Sequence, residues 1–275
     1  MRPTRLYVAA DGPRESRPAE SIFCEEVRSI FKSIDWDCEI KTLYRDKNIG
    51  CRLAVSKGID WFFENEEEGI ILEDDCLPSE DFFRFCSIML NEYRNHTRIM
   101  HISGTNFIPF IDKTEKRNIY FSRYPQVWGW ATWRRAWKEY LRDPDIWNQE
   151  AISPWKNSPT QVQRFWKQHF GKAYAGNIDT WDFQWVYTLN ILNAFAINPP
   201  INLVQNIGFG IQSSHTNSTN DPRGKIGVGE LPKEILSPSV IVRNENFDLY
   251  IESKYFSSSS WIRKVVTYII RKINF

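Results

Sequence analysis

The feature that most constrains this chain is a short apolar run that ends in three consecutive acids. Residues 69–72 read Gly-Ile-Ile-Leu, Glu73, Asp74 and Asp75 follow directly, and a Pro-Ser pair comes next. The run is typical of a buried strand, and the Pro-Ser pair can open a helix. Strand alternation predicts Glu73 and Asp75 on one side and Asp74 on the other. Three adjacent carboxylates repel one another, and a hard divalent cation is the usual compensation, although a solvated acidic turn is the alternative.

Strand and helix patterns alternate around this run. The predicted strands are 6–10, 38–44, 69–72 and 98–103, and the predicted helices are 19–33, 52–64 and 79–95. This alternation predicts an α/β fold with a mostly parallel sheet and helices on both faces. The pattern breaks after residue 105, where a strand at 119–122 and helices at 133–141, 160–170 and 183–195 indicate a more helical, loop-rich region.

The ends of the first two predicted strands carry candidate ligand-binding residues. Asp11 and Arg14 follow the first strand, and Lys47, Asn48 and Arg52 surround the start of the second predicted helix. Open α/β sheets bind ligands at this edge, and free N–H groups at a helix start favour anions. We expect Asp11 to accept hydrogen bonds from a base or ribose. Arg14 would meet phosphate, or else belong to an ordinary turn.

Three tryptophans surround Gly129 in the segment Val127–Trp133. Glycine allows close approach and indole rings stack on sugar faces, so the segment is a candidate binding wall. A tryptophan-rich junction between the sheet and the later helices explains the pattern equally well.

Asp182 follows Trp181 and directly precedes the predicted helix at 183–195, so that it would lie in the first turn. A carboxylate in the first turn is held ionised by the helix dipole, so Asp182 is a candidate general base or a simple helix-start residue. Asp179 is a rival base three residues earlier, and Asp179 or Thr180 is a candidate N-cap for this helix.

Two segments near the C-terminus have their own character. Residues 206–230 are polar and glycine-bearing, which predicts a mobile loop, and His215 within it is a candidate metal ligand or phosphate donor unless it is simply solvated. Residues 260–275 alternate apolar and basic residues, as a basic amphipathic helix does. That helix would dock on the domain or make peripheral contact with a membrane.

The composition excludes several classes. Net charge is +1, which gives no electrostatic argument for a nucleic-acid partner. The five cysteines are odd in number and include no CxxC pair, which favours reduced thiols in the cytoplasm over disulfides or structural zinc. The apolar run at residues 6–10 is too short for a signal peptide, and no run approaches the roughly 18 residues of a membrane span.

Together these motifs resemble the GT-A glycosyltransferases. The resemblance rests on the strand exit at Asp11-Gly12, the Asn48–Gly50 loop, and Ile71-Leu72-Glu73-Asp74-Asp75 followed by Pro-Ser-x-Asp-Phe-Phe at 78–83. It is strongest over residues 5–110 and looks closest to bacterial sugar transferases, distantly similar to N-acetylglucosaminyltransferases. It implies a Rossmann-like GT-A domain over 1–255, with a nucleotide-sugar half at 1–110, an acceptor half at 111–255 and an appended helix at 256–275.

The resemblance also implies roles for individual residues. Asp75 would bind Mn²⁺ or Mg²⁺ on the diphosphate of a nucleotide-sugar donor, probed most simply with UDP. Asp74 or Glu73 would contact ribose or sugar, and Asp11 the nucleoside. Asp182 matches the base of inverting members, which act on a saccharide or lipid-linked saccharide acceptor.

This chain departs from the common Asp-x-Asp pattern by having Glu73 in the first position, which puts the ribose contact of that residue in doubt. Two other functions fit part of the pattern. A sugar-1-phosphate nucleotidyltransferase also uses acidic metal ligands, but it usually carries a glycine-rich loop that the 11–14 segment lacks. A non-catalytic carbohydrate-binding protein would use the tryptophans and would need no acidic triplet.

Overall fold

The computed structural model describes residues 1–108, 118–142, 154–209, 224 and 226–256. Within these ranges the chain forms an α/β domain. In chain order its elements are β1 (Arg5–Ala10), α1 (Glu20–Ile30), β2 (Glu39–Tyr44), α2 (Cys51–Asn65), β3 (Glu68–Ile71), β4 (Cys76–Pro78), α3 (Glu80–Glu92), β5 (Ile99–Ser103), β6 (Tyr120–Ser122), β7 (Trp130–Trp133), α4 (Arg134–Trp137), α5 (Thr160–Tyr174), α6 (Asp182–Ile191), β8 (Phe195–Asn198), β9 (Val204–Asn206) and α7 (Glu245–Ile251). A 3₁₀ turn at Phe31–Ser33 extends α1, and a π-helical segment at Glu252–Phe256 follows α7.

The sheet is mixed, which corrects the prediction of a mostly parallel one. Five strands pair in the order β3-β7-β5-β8-β6, while β1-β2 and β4-β9 form separate pairs. In the described part of the chain, β1-β2 and β5-β8 are parallel and the other four pairings are antiparallel. The difference arises because β7, which includes two of the three clustered tryptophans, enters the sheet between β3 and β5 in the opposite direction.

Helices cover both faces of the five-stranded sheet, as predicted. Alternate residues of one strand point to opposite faces. Thus Ile102 of β5 packs with α3 in one buried cluster, whereas Met100 packs with α2, α4 and α6 in another. Helix α3 fits its position because its apolar residues recur at helical spacing and are buried: Phe82, Phe85, Cys86, Met89 and Leu90.

Helix α1 forms where the periodicity predicts it, but its apolar face is not buried by the described chain. Ile22, Phe23, Val27 and Ile30 are each 50–64% exposed. The sequence pattern thus predicted the helix correctly but does not show whether its apolar face is covered.

The predicted elements up to β5 lie within three residues of their observed bounds, and the short strand β4 was not predicted. Later helices differ more: α6 ends at Ile191 because β8 begins at Phe195, inside the predicted helix. In the described part of the chain, no helix is long and apolar enough to cross a membrane. The predicted amphipathic helix at 260–275 lies outside the described residues.

Candidate active site

The acidic triplet lies in a tight turn between β3 and β4. The Cys76 N–H donates to the Glu73 carbonyl at 3.1 Å, which closes a four-residue turn with Asp74 and Asp75 at its centre. Strand β3 ends at Ile71, so the triplet lies outside the strand. The predicted placement of Glu73 and Asp75 on one side and Asp74 on the other therefore does not apply. Glu73 and Asp75 are half-buried, and Asp74 is exposed.

The segment after β9 holds the turn from the other side. The Ile207 N–H donates to the Asp75 carbonyl at 2.8 Å, and the Gly208 N–H donates to the Asn206 side chain at 2.8 Å. A Cβ atom on Gly208 would lie 2.4 Å from Asp75 Oδ2, so this position requires glycine. The sequence did not indicate this role, because Gly208 is more than a hundred residues from the triplet.

The start of α6 is the second acidic element. Asp182 is the first residue of the helix, and its Oδ1 accepts from the Phe183 N–H at 2.9 Å and from the Thr180 hydroxyl. In the described structure both of these bonds fall on Oδ1, so Oδ2 is the oxygen available to another group. The predicted caps at Asp179 and Thr180 are wrong for this helix, whose N-cap residue is Trp181 with no side-chain cap.

Electrostatic coupling shows that these two elements meet. Burial, together with the nearby carboxylates of Asp75 and Asp182, raises the pKa of Glu73 from 4.5 to about 7. A side-chain hydrogen bond from Trp181 opposes that rise in the Glu73 pKa. The triplet and Asp182 thus share one site. Trp181 is a contact to Glu73 that the sequence did not reveal.

The start of α2 completes the site. Burial first, then Glu73, Asp179 and Asp182, raise the pKa of the Cys51 thiol to about 12. Three chain segments therefore converge here: the acidic turn, the α6 start and the α2 start. A thiol with a raised pKa is a poor nucleophile, so the chemistry of this site rests on its carboxylates.

Asp179 caps α2 rather than α6. Its carboxylate accepts the N–H groups of Cys51 at 2.8 Å and Arg52 at 3.0 Å. Gly50 allows this approach, since it has φ +83° and a Cβ there would lie 2.7 Å from Asp179 Oδ2. The free N–H groups predicted at this helix start are therefore bonded by a carboxylate of the same chain.

The remaining predicted donor-binding residues divide into two groups. Asp11 accepts the Ile49 N–H at 3.0 Å, and the Asn48 side chain donates to the Gly12 carbonyl at 3.2 Å, so both residues shape the loop beside the α2 start. Arg14 and Lys47 are exposed and form ion pairs with Glu20 and Glu15. Their phosphate roles stay predictions, and the structure engages both side chains elsewhere.

The carboxylates fit a hard cation. Among the described residues, none of the four acids at 73–75 and 182 forms an ion pair with Lys, Arg or His. The strongest influences on the pKa of Glu73 are burial and other carboxylates. No group of three or more metal-binding side chains arranged around one point occurs in the described part of the chain. A Mg²⁺ site in which one or two carboxylates act with substrate phosphates would not require such a group. His215 lies outside the described residues, as does most of the predicted mobile loop.

Most of the tryptophan cluster is core. Trp130 is fully buried, and its ring stacks on His101 at 4.9 Å and on Trp181 at 5.4 Å. Trp133 is 2% exposed, whereas Trp128 is half-buried. The junction interpretation therefore holds for two of the three tryptophans. This stack also supports Trp181, the residue that contacts Glu73.

No protein-family model and no curated protein matches the chain.

Proposed function

We propose that this protein is a metal-dependent glycosyltransferase that moves a sugar from a nucleotide-diphosphate donor to a saccharide or lipid-linked saccharide acceptor. The observation that carries the proposal is the convergence of the Glu73–Asp75 turn with Asp182, which is seen in the raised pKa of Glu73. Strongly perturbed carboxyl groups in one cluster are typical of functional sites. A purely structural acidic turn would not need Asp182 beside it.

The proposed roles follow from the position of each carboxylate. Asp75, held by Gly208 and the Ile207 N–H, would ligate Mn²⁺ or Mg²⁺ with the donor diphosphate. When bound, the ion supplies Lewis-acid stabilisation of the charge on the departing nucleoside diphosphate. Asp74 is exposed on the same turn and would contact the donor ribose or sugar.

Asp182 is the proposed general base. Its Oδ2 would take the proton of the acceptor hydroxyl while that oxygen bonds to the anomeric carbon and the bond to the diphosphate breaks. Proton transfer to one positioned carboxylate in a single displacement inverts the anomeric centre. Asp179 is a weaker candidate because both of its oxygens already accept backbone N–H groups.

The two alternatives are less well supported. A carbohydrate-binding protein that used its tryptophans would expose them, yet Trp130, Trp133, Trp155, Trp181 and Trp185 are among the largest fully buried side chains. A nucleotidyltransferase would bind a nucleoside triphosphate in preference to UDP, so it is separable by titration.

Calorimetric titration of UDP with and without Mn²⁺ tests the proposal. We expect Mn²⁺-dependent binding that Asp75→Ala abolishes and that the exposed control Asp37→Ala keeps. A screen of nucleotide sugars for slow hydrolysis then identifies the donor, and Asp182→Asn should keep donor binding while removing turnover. UDP affinity that is unchanged by chelator or by Asp75→Ala would refute the metal role, and tighter binding of UTP would favour the nucleotidyltransferase.

A further inference from the structure

Trp128 lies directly beside the acidic turn. Strands β3 and β7 are antiparallel, with Ile71 opposite Trp130, so the residues that follow Ile71 run alongside those that precede Trp130. Gly129 makes this approach close, because a Cβ there would lie 3.2 Å from Leu72 Cδ2. The chain next to Trp128 therefore touches the residue that precedes Glu73.

A second aromatic residue reaches the same place from another strand. Phe209 follows Gly208, which lies against the Asp75 carboxylate. The rings of Phe209 and Trp128 meet edge to face, with centroids 5.4 Å apart and planes at 80°. Two independent connections thus place this aromatic pair within a residue or two of the carboxylates.

The pair has the exposure of a binding surface. Trp128 and Phe209 are half-buried, and the adjacent Leu72 is 41% exposed. Phe107, only 8% exposed, supports Trp128 from behind with an edge-to-face contact at 5.0 Å. A half-buried aromatic pair held in place by a buried ring suits an amphipathic ligand.

The pair reaches the site through segments other than the one that carries the predicted nucleoside contact. Asp11 joins the site through the Ile49 N–H beside the α2 start, whereas Trp128 precedes β7 and Phe209 follows β9. If Asp11 holds the nucleobase, Trp128 would therefore contact a different substrate group.

We propose that Trp128 and Phe209 form an acceptor subsite that binds the apolar face of a pyranose ring beside the metal-binding turn. The inference rests on the proposed transferase function and assigns the ligand class of one part of that site. A neutral sugar ring stacks on an indole through its C–H face while its hydroxyls remain hydrated. One of those hydroxyls would then face the site that the acidic turn shares with Asp182.

The test compares sugar and nucleotide binding in the same variants. Saturation-transfer NMR with the methyl glycosides of glucose, galactose, mannose and N-acetylglucosamine is run on protein loaded with Mn²⁺ and UDP. We expect at least one glycoside to receive saturation on its ring C–H protons, and Trp128→Ala to reduce that signal at least fivefold. Trp128→Phe should restore most of it, and Trp36→Ala is the control, since Trp36 is also half-buried and its indole N–H bonds the Pro3 carbonyl.

Calorimetric UDP binding separates this inference from the function on which it rests. We expect the UDP affinity of Trp128→Ala to stay within twofold of wild type. A selective loss of UDP affinity would show that Trp128 stacks the nucleobase, and would overturn the acceptor subsite. Equal glycoside signals in Trp128→Ala and wild type, or none in wild type, would also overturn it while leaving Mn²⁺-dependent UDP binding as evidence for the transferase. Absence of that UDP binding would instead refute the function itself.

Discussion

The raised pKa of Glu73 gives a stability prediction that needs no substrate. Burial, and the nearby Asp75 and Asp182, raise the folded-state pKa of Glu73 from 4.5 to about 7. Between these two values the folded chain holds a proton that the unfolded chain has released, so stability must fall as pH rises through this window. The destabilisation caused by ionised Glu73 therefore reaches its full size only above about pH 7.

The magnitude follows from the size of the rise. One pKa unit corresponds to about 1.4 kcal/mol, which gives an upper limit of about 3 kcal/mol for the ionised carboxylate above pH 7. Glu73 is only half-buried, so solvent screening reduces the expected effect to about 2 kcal/mol. Glutamine has nearly the same shape and carries no charge, so Glu73→Gln should remove the penalty.

Urea unfolding in the presence of chelator from pH 5 to pH 8 measures the effect. We expect wild type and Glu73→Gln to have similar free energies of unfolding at pH 5, and Glu73→Gln to be about 2 kcal/mol more stable at pH 8. Glu64→Gln, an exposed position near the end of α2, is the control and should show no growing difference. A difference between wild type and Glu73→Gln that is constant with pH, or that favours wild type at pH 8, would refute the clustering of these carboxylates.

Three further predictions address the supports of the site. Asp179→Ala should lower the free energy of unfolding by about 1 kcal/mol because α2 loses its cap, and equal stability in urea would contradict that role. Gly208→Ala should displace the Asp75 carboxylate and weaken Mn²⁺-dependent UDP binding at least tenfold, whereas Gly227→Ala, with no atom within 4 Å of its added Cβ, should not. His101→Phe should cost about 2–4 kcal/mol in urea unfolding because two buried hydrogen-bonding partners lose their bonds, and a loss below 1 kcal/mol would show that the site relaxes.

The elements up to β5, except the short strand β4, could be predicted because their apolar periods agree with their final positions. The mixed order of the sheet could not, because it depends on where β7 inserts. The sequence of the Trp-rich segment does not indicate whether it pairs parallel or antiparallel. Its antiparallel pairing with β3 depends on long-range packing. The exposure of the apolar face of α1 could not be predicted for a related reason: an amphipathic pattern shows that a face can be covered, but not that it is.

The candidate site shows the same division. The acids at 73–75 and Asp182 could be selected from sequence, since local context distinguishes a strand exit and a helix start. Their supports could not be selected, because Gly208 and Trp181 act through contacts between distant segments. Carboxylates are informative in sequence because clustering them is unfavourable without a partner, whereas a glycine or a buried indole has many structural uses.

Asp179 and Asp182 have different roles in the site: Asp179 caps α2, and Asp182 is the proposed base. Both oxygens of Asp179 accept N–H groups at the α2 start. The same helix start is joined to Asp11 through the Ile49 N–H. Asp182 follows Asp179 by three residues. One short segment therefore connects the proposed base to the α2 start, beside which Asp11 lies. A base fixed in this way relative to the donor needs no large movement to meet the acceptor, which is the preorganisation that a single displacement requires.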